Sequence, residues 1–259
     1  MNLSNWKDVL RNTVYFSLVI QAITGLFNIG LLGLDTYDNS FDDEYEILIQ
    51  LIWLSLIVQL IEGTFYVWLA WSINTVVNIT AYRYYDWFFS TPTMLITFVV
   101  YLIYLKEKQD ESVETKKNDD VKTNVKTDLL RSHSKKTSNN LWDYMKNNKY
   151  MLSVIIFLNA LMLMFGYFGE IGLLKNKTAV LFGFAPFIAY FYLIYEYYAK
   201  YTDFGRILFW LFTGIWSLYG FAALAPYYIT NVSYNILDIF SKNFFELFIG
   251  IRLLFVYNK

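Results

Sequence analysis

Six ionisable residues stand inside stretches that are otherwise apolar, and their spacing pairs them. Asp238 and Lys242 are four residues apart, and Arg83 precedes Asp86 by three, so on helices each pair shares one face. Glu62 stands in a third apolar stretch, and Glu246 lies one turn beyond Lys242. Charged side chains in apolar surroundings are costly and are kept where they pair or act. Two readings of the set stay open at this level. It is a buried ion network that pins helices together, or Lys242 carries a protonated imine whose charge Asp86 and Asp238 balance. Such a cation survives in a low dielectric only beside counterions.

The elements that must position these residues follow from composition. Of 259 residues, 56% are apolar and 21% aromatic, and the mean hydropathy is +0.34. Charge is confined to short stretches between long apolar runs. Seven such runs occur, at about 10–33, 47–72, 81–105, 150–174, 178–199, 205–229 and 232–257. A bilayer core takes roughly 20 apolar residues per helix, and each run supplies about that. Lipid satisfies no backbone groups and no barrel-like alternation appears, so the spans are helical. The expected fold is an all-α membrane protein, a single seven-helix domain over residues 1–259 with a long connection at about 107–147. The first run is too long for a signal peptide and lacks a small-residue cleavage site.

The net charge of −1 points to no nucleic-acid partner, and the lack of cysteine excludes disulfides and thiolate metal sites. No metal site is expected. The single histidine, His133, lies in a charged stretch and reads as solvated. The mix of both charge signs with Ser, Thr and Asn over 107–140 reads as a disordered loop.

Lys and Arg set the orientation. The third connection carries eleven of them, including Lys116, Lys117, Lys135 and Lys136, and by alternation Lys200, Arg206, Arg252 and Lys259 lie on the same side. The other side holds Lys7, Arg11, Lys175 and Lys177. The positive-inside rule places the third connection and the C-terminus in the cytoplasm and the N-terminus outside. Sequons at Asn2, Asn78, Asn176 and Asn231 fall on the expected outer side. The acidic first connection (Asp35, Asp38, Asp42, Asp43, Glu44) does not oppose this, since carboxylates count little.

The surroundings of the ionisable residues carry a resemblance. The stretch Arg83-Tyr84-Tyr85-Asp86-Trp87-Phe88-Phe89-Ser90-Thr91-Pro92 resembles the third helix of microbial rhodopsins, with its R-Y-x-D-W-x-x-T-T-P pattern. Leu237-Asp238-Ile239-Phe240-Ser241-Lys242 is similar to their retinal-lysine motif, and Trp216-Ser217-Leu218-Tyr219 to their sixth-helix W-x-x-Y. Phe165 to Glu170 and Tyr192 to Glu196 look like the fourth and fifth helices of proteorhodopsins.

The resemblance implies all-trans retinal as a Schiff base on Lys242, with counterions Asp86 and Asp238 and with Arg83 as a charged gate beneath them. Trp87 and Trp216 would sandwich the polyene, and Tyr66, Tyr219, Ser90, Thr91, Met94, Met162 and Gly166 would line the pocket. An apolar Met94, where some relatives carry glutamine, implies green rather than blue absorption. The partners implied are retinal, transported cations or protons, and the bilayer, with a homo-oligomer as one form; no enzyme activity is implied.

Departures from the pattern bear on what the protein does. Thr97 stands where proton pumps carry a donating carboxylate, Ser90 where threonine is usual, and Gly220 where the sixth helix has proline. The last outer connection is too short for a proton-releasing glutamate pair. Glu62 and Asn243 match the second-helix glutamate and the Lys-Asn pair of algal cation channelrhodopsins, with Ser17 as the first-helix serine of that central gate. The combination also resembles the short rhodopsins of giant algal viruses. A light-gated cation channel is the favoured expectation. An outward proton pump, with Asp86 as acceptor and Glu246 as a displaced donor, stands second, and a photosensor acting through the long loop third.

Overall fold

The computed structural model describes residues 3–38, 46–120 and 140–257. Its helices are α1 (Leu3–Asp38), α2 (Glu46–Ser72), α3 (Ile79–Asp120), a short α4 (Leu141–Asn147), α5 (Lys149–Glu170), α6 (Asn176–Tyr197), α7 (Asp203–Ala222), α8 (Tyr227–Asp238) and α9 (Phe244–Tyr257). A 3₁₀ turn, Ala199–Tyr201, joins α6 to α7, and a π turn, Ile239–Asn243, joins α8 to α9 into one span. Five helices (α1, α2, α3, α5 and α6) are by length and composition apolar enough to cross a membrane. With α7 and the α8–α9 span they make a seven-helix bundle. Chain neighbours pack side by side from α1–α2 to α7–α8, except that α3 meets α5, and α1 closes the ring against α8 and α9.

Burial is inverted relative to a water-soluble protein. Glu62, Arg83 and Asp238 are fully buried while Leu60 and Trp71 are 72% and 90% exposed. Leu60 and Thr64, two positions either side of Glu62 on α2, thus face outward, and the carboxyl faces the bundle. Inside α3, Pro92 removes the amide donor that the Phe88 carbonyl would otherwise use. Thr91, Thr93 and Thr97 each donate to the carbonyl four residues back.

Two boundaries correct the sequence reading. The third connection was expected to be irregular from about residue 107, but α3 stays helical to Asp120. Residues 106–111 (Lys, Glu, Lys, Gln, Asp, Glu) are mostly good helix formers, and Lys108 pairs with Glu111 at 3.2 Å. Charge there ends the membrane span without ending the helix. Similarly, the run 205–229 is cut short: α7 ends at Ala222, and Pro226 caps α8, which begins five residues before the expected start of the last span. Residues 121–139, with His133, Lys135 and Lys136, lie outside the described residues, as do Asn2, Asp42, Asp43, Glu44 and Lys259.

Candidate functional site

α3, α5, α6, α7 and the last span enclose a cavity lined almost wholly by aromatic and aliphatic groups, with Lys242 in its wall. Trp87 and Trp216 line it, as do Thr91, Met94, Met162, Gly166 and Tyr219. Tyr84, Phe184 and Ser241 also line it, and sequence reasoning did not place them there. Two glycines shape the wall. A Cβ at Gly220 would lie 2.6 Å from the Phe184 ring, and one at Gly166 would collide with the Tyr84 hydroxyl. Gly220, noted in the sequence only as a missing proline, is what lets Phe184 approach α7. Thr91 accepts a bond from Asn159 across to α5, at 2.8 Å.

Two expected pocket residues stand elsewhere. Ser90 is buried one turn from Asp86 but does not line the cavity. Tyr66, from α2, is drawn into the ion cluster: its hydroxyl donates to Asp238 Oδ2 at 2.7 Å.

That cluster gathers the charged residues as their spacing implied. Lys242 Nζ donates to Asp86 Oδ2 at 2.7 Å and lies 3.7 Å from both Asp238 Oδ1 and Glu62 Oε1. Asp238 also accepts from Tyr219 at 2.7 Å and from Arg83 Nη1 at 3.4 Å, and the Tyr219 hydroxyl sits 2.7 Å from Ser241 Oγ. Arg83 turns away from the cavity toward the N-terminal end of the last span. Its guanidinium bonds the Asn231 carbonyls and Asn235, and its face lies over Phe65, Tyr66 and Tyr234 at 5.5–5.8 Å. Asn231 is therefore a buried ligand of the arginine and not a surface sequon. Its spacing to Asn235 and Asp238 (four, then three) was the signal for this face. Two cations and three carboxyl groups share the site, so it is neutral only when one carboxyl holds a proton.

The expected Glu62–Asn243–Ser17 contact is not formed. Both Glu62 oxygens lack a hydrogen-bond partner, and Ser17 donates to the Asn235 carbonyl at 3.0 Å. Asn243 Oδ1 instead accepts from Gln59 Nε2 at 2.9 Å, and the same nitrogen donates to Glu246. Gln59, one turn before Glu62, takes the place that the sequence reading gave to the glutamate. Glu62 is drawn instead toward the cation of Lys242.

A family model described as bacteriorhodopsin-like protein matches residues 14–254. The chain belongs to that family. This rhodopsin has no match among curated protein sequences. Among solved structures it is similar to viral rhodopsin OLPVRII, at 19% identity over 95% of this chain and 98% of that one, with a TM-score of 0.70. It is also similar to the proton-pumping rhodopsin AR2 of the marine alga Acetabularia acetabulum (14% identity, 97% of each chain, TM-score 0.63). The bromide-bound halorhodopsin of Halobacterium salinarum gives 13% identity over 99% of this chain and 96% of that one, with a TM-score of 0.61. At these identities the likeness is one of fold.

The family's cofactor is retinal, held as a Schiff base on a lysine, and the residues present fit it. A long apolar polyene needs an aromatic-walled cavity, a lysine in its wall and carboxylates beside that nitrogen. This bundle has all three, and the glycines at 166 and 220 let the Tyr84 and Phe184 side chains close in as parts of the wall.

Proposed function

We propose that this rhodopsin is a light-gated cation channel with Lys242 as its retinal-bearing residue, Asp86 and Asp238 as counterions, and Glu62 at the gate. The observation that carries this reading is the position of Glu62. It is fully buried on α2, 3.7 Å from Nζ, with neither oxygen hydrogen-bonded. Such a carboxyl can follow the lysine nitrogen or release it, and either move opens polar space on the α1–α2 side of the bundle. When bound, retinal supplies light absorption and a change of shape delivered at that nitrogen.

The opposite side supports the same reading. Between Lys242 and the α3–α4 end, the face of α3 that a pump would use for proton uptake carries Thr97, not a carboxylic acid. Thr97 is buried, and its hydroxyl is bonded to the Thr93 carbonyl. Phe98 stacks on Phe212 at 4.3 Å, and Phe245 closes on Phe212 at 5.3 Å, so that side is filled by packed rings. The second reading is an outward proton pump, favoured by Glu246, which is buried one turn from Lys242 and bonded to Gln59. In it Asp86 accepts the proton and Glu246 returns one.

The proposed orientation sets the α3–α4 end in the cytoplasm. Lys106, Lys108, Lys146, Lys149, Lys200, Arg206 and Arg252 lie at that end, against Lys7, Arg11, Lys175 and Lys177 at the other.

Variants of Glu62 under voltage clamp test the gate. Glu62→Gln keeps a hydrogen-bond donor and should conduct with altered cation selectivity. Glu62→Ala should leak in the dark or close at a different rate. Wild-type selectivity and closing kinetics in both variants would remove Glu62 from the gate.

A further inference from the structure

The face that α1 turns inward is polar along its length. Ser17, Gln21, Thr24 and Asn28 recur at spacings of four, three and four, and all are buried. Only Ser17 finds a partner; the Gln21 and Asn28 amides and the Thr24 hydroxyl have none. α2 and the last span answer with Ser55, Gln59, Asn243 and Glu246, where Ser55 Oγ, Asn243 Nδ2 and Glu246 Oε1 are likewise unpartnered.

Two glycines lie beside this file. A Cβ on Gly63 of α2 would meet Gln21 Oε1 at an ordinary contact distance of 3.7 Å, and one on Gly250 of α9 would run into Phe27 and Leu31 at 2.7 and 2.8 Å and then Asn28 Oδ1 at 3.1 Å, so α1 and α9 pack closely there. Buried polar groups almost always find partners, and lipid supplies none. A file of unpartnered oxygens and amides between α1, α2 and α9 therefore calls for water.

Where this file approaches Lys242, one amide spans it. Gln59 Nε2 has two hydrogens and donates to Asn243 Oδ1 and to Glu246 Oε2. Asn243 is the residue after Lys242 and lies in the same π turn. Movement of the lysine backbone therefore acts on Asn243, through Asn243 on Gln59, and through Gln59 on Glu246.

We propose that Glu246, held by Gln59, is a second gate of this rhodopsin, and that Ser55, Thr24 and Asn28 line the cation route beyond it toward the α3–α4 end, with Gln21 beside Gly63 on the other side of the gate. The inference rests on the channel reading and adds a gate distinct from Glu62. The bridging amide closes the route when both of its bonds are made. Loss of the Asn243 bond frees Gln59 and turns the Glu246 carboxyl into the file, where its oxygen favours cations over anions.

Two measurements on the retinal-bound protein test it. In light-minus-dark infrared difference spectra, Glu246→Gln should remove a carboxyl or carboxylate band that the wild type shows. Under voltage clamp, Asn28→Leu, which fills the file far from the chromophore, should cut the photocurrent several-fold with no shift in the absorption maximum. Gln59→Leu should raise the dark current. A reversing wild-type photocurrent that Asn28→Leu and Gln59→Leu leave untouched, with an unchanged infrared spectrum in Glu246→Gln, overturns the second gate and leaves the channel standing. A wild-type current that never reverses overturns both.

Discussion

Lys242 Nζ and Asp86 Oδ2, 2.7 Å apart and both buried, tie the middle of the last span to the N-terminal part of α3. Asp238 and Glu62 approach the same nitrogen only to 3.7 Å. Coulombic attraction falls with distance, so Asp86 is the carboxylate we propose as the principal counterion. Asp238 is further occupied by two tyrosines and Arg83, which leaves Asp86 as the carboxylate most directly committed to the lysine.

The chromophore follows from Lys242. Wild-type protein supplied with all-trans retinal should absorb in the visible, and Lys242→Ala should lose the band entirely. A retinylidene band that persists in Lys242→Ala would assign the linkage to another residue.

The counterion assignment predicts a direction of colour change. A negative charge beside the nitrogen stabilises the ground state, in which positive charge is localised there. Asp86→Asn removes the nearest such charge and should shift the absorption maximum to the red. An unmoved maximum, or a shift to the blue, would give the role to Asp238 or Glu62.

Arg83 should matter for stability as much as for charge. Removing one partner of a buried ion pair costs about 3–5 kcal/mol, because the other charge is left uncompensated. Arg83→Gln takes from Asp238 one of its two cations, leaving it Lys242 and two tyrosines, and unbinds Asn231 and Asn235. Its pigment should bleach on heating many times faster than the wild type. Equal bleaching rates would mean that Lys242 and the tyrosines satisfy Asp238 without it.

Gly220→Ala places a methyl group where the Phe184 ring now lies. Overpacking of this kind costs about 1–3 kcal/mol, and here it also reshapes the cavity wall. Slower pigment formation from added retinal and a displaced absorption maximum are expected. Wild-type values for both would place the polyene away from α7 at this level.

Much of the site was legible in the sequence because helical spacing is rigid. Asp238 to Lys242 and Arg83 to Asp86 could meet only in a few ways, and the apolar runs around them fixed the depth. What the sequence hid was competition for hydrogen bonds. Nothing in it says that Gln59, not Glu62, takes Asn243, because both lie on the same face of α2, less than a turn apart. Nor does a pocket motif say that Tyr66 prefers Asp238 to the cavity. The polar stripe on α1 was visible at spacings of four and three. Its significance appears only once its buried side chains are seen to lack partners. Helix ends in charged sequence were also hidden, since Lys and Glu leave a membrane without breaking a helix, as α3 shows to Asp120.

The channel reading meets its most direct test in the steady photocurrent of the wild type, recorded against membrane voltage at two cation gradients. A conducting pore driven by the Glu62 gate predicts a current that changes sign with voltage, at a potential that moves when the cation gradient is changed. A current of one sign at every voltage, outward and insensitive to the gradient, would contradict it.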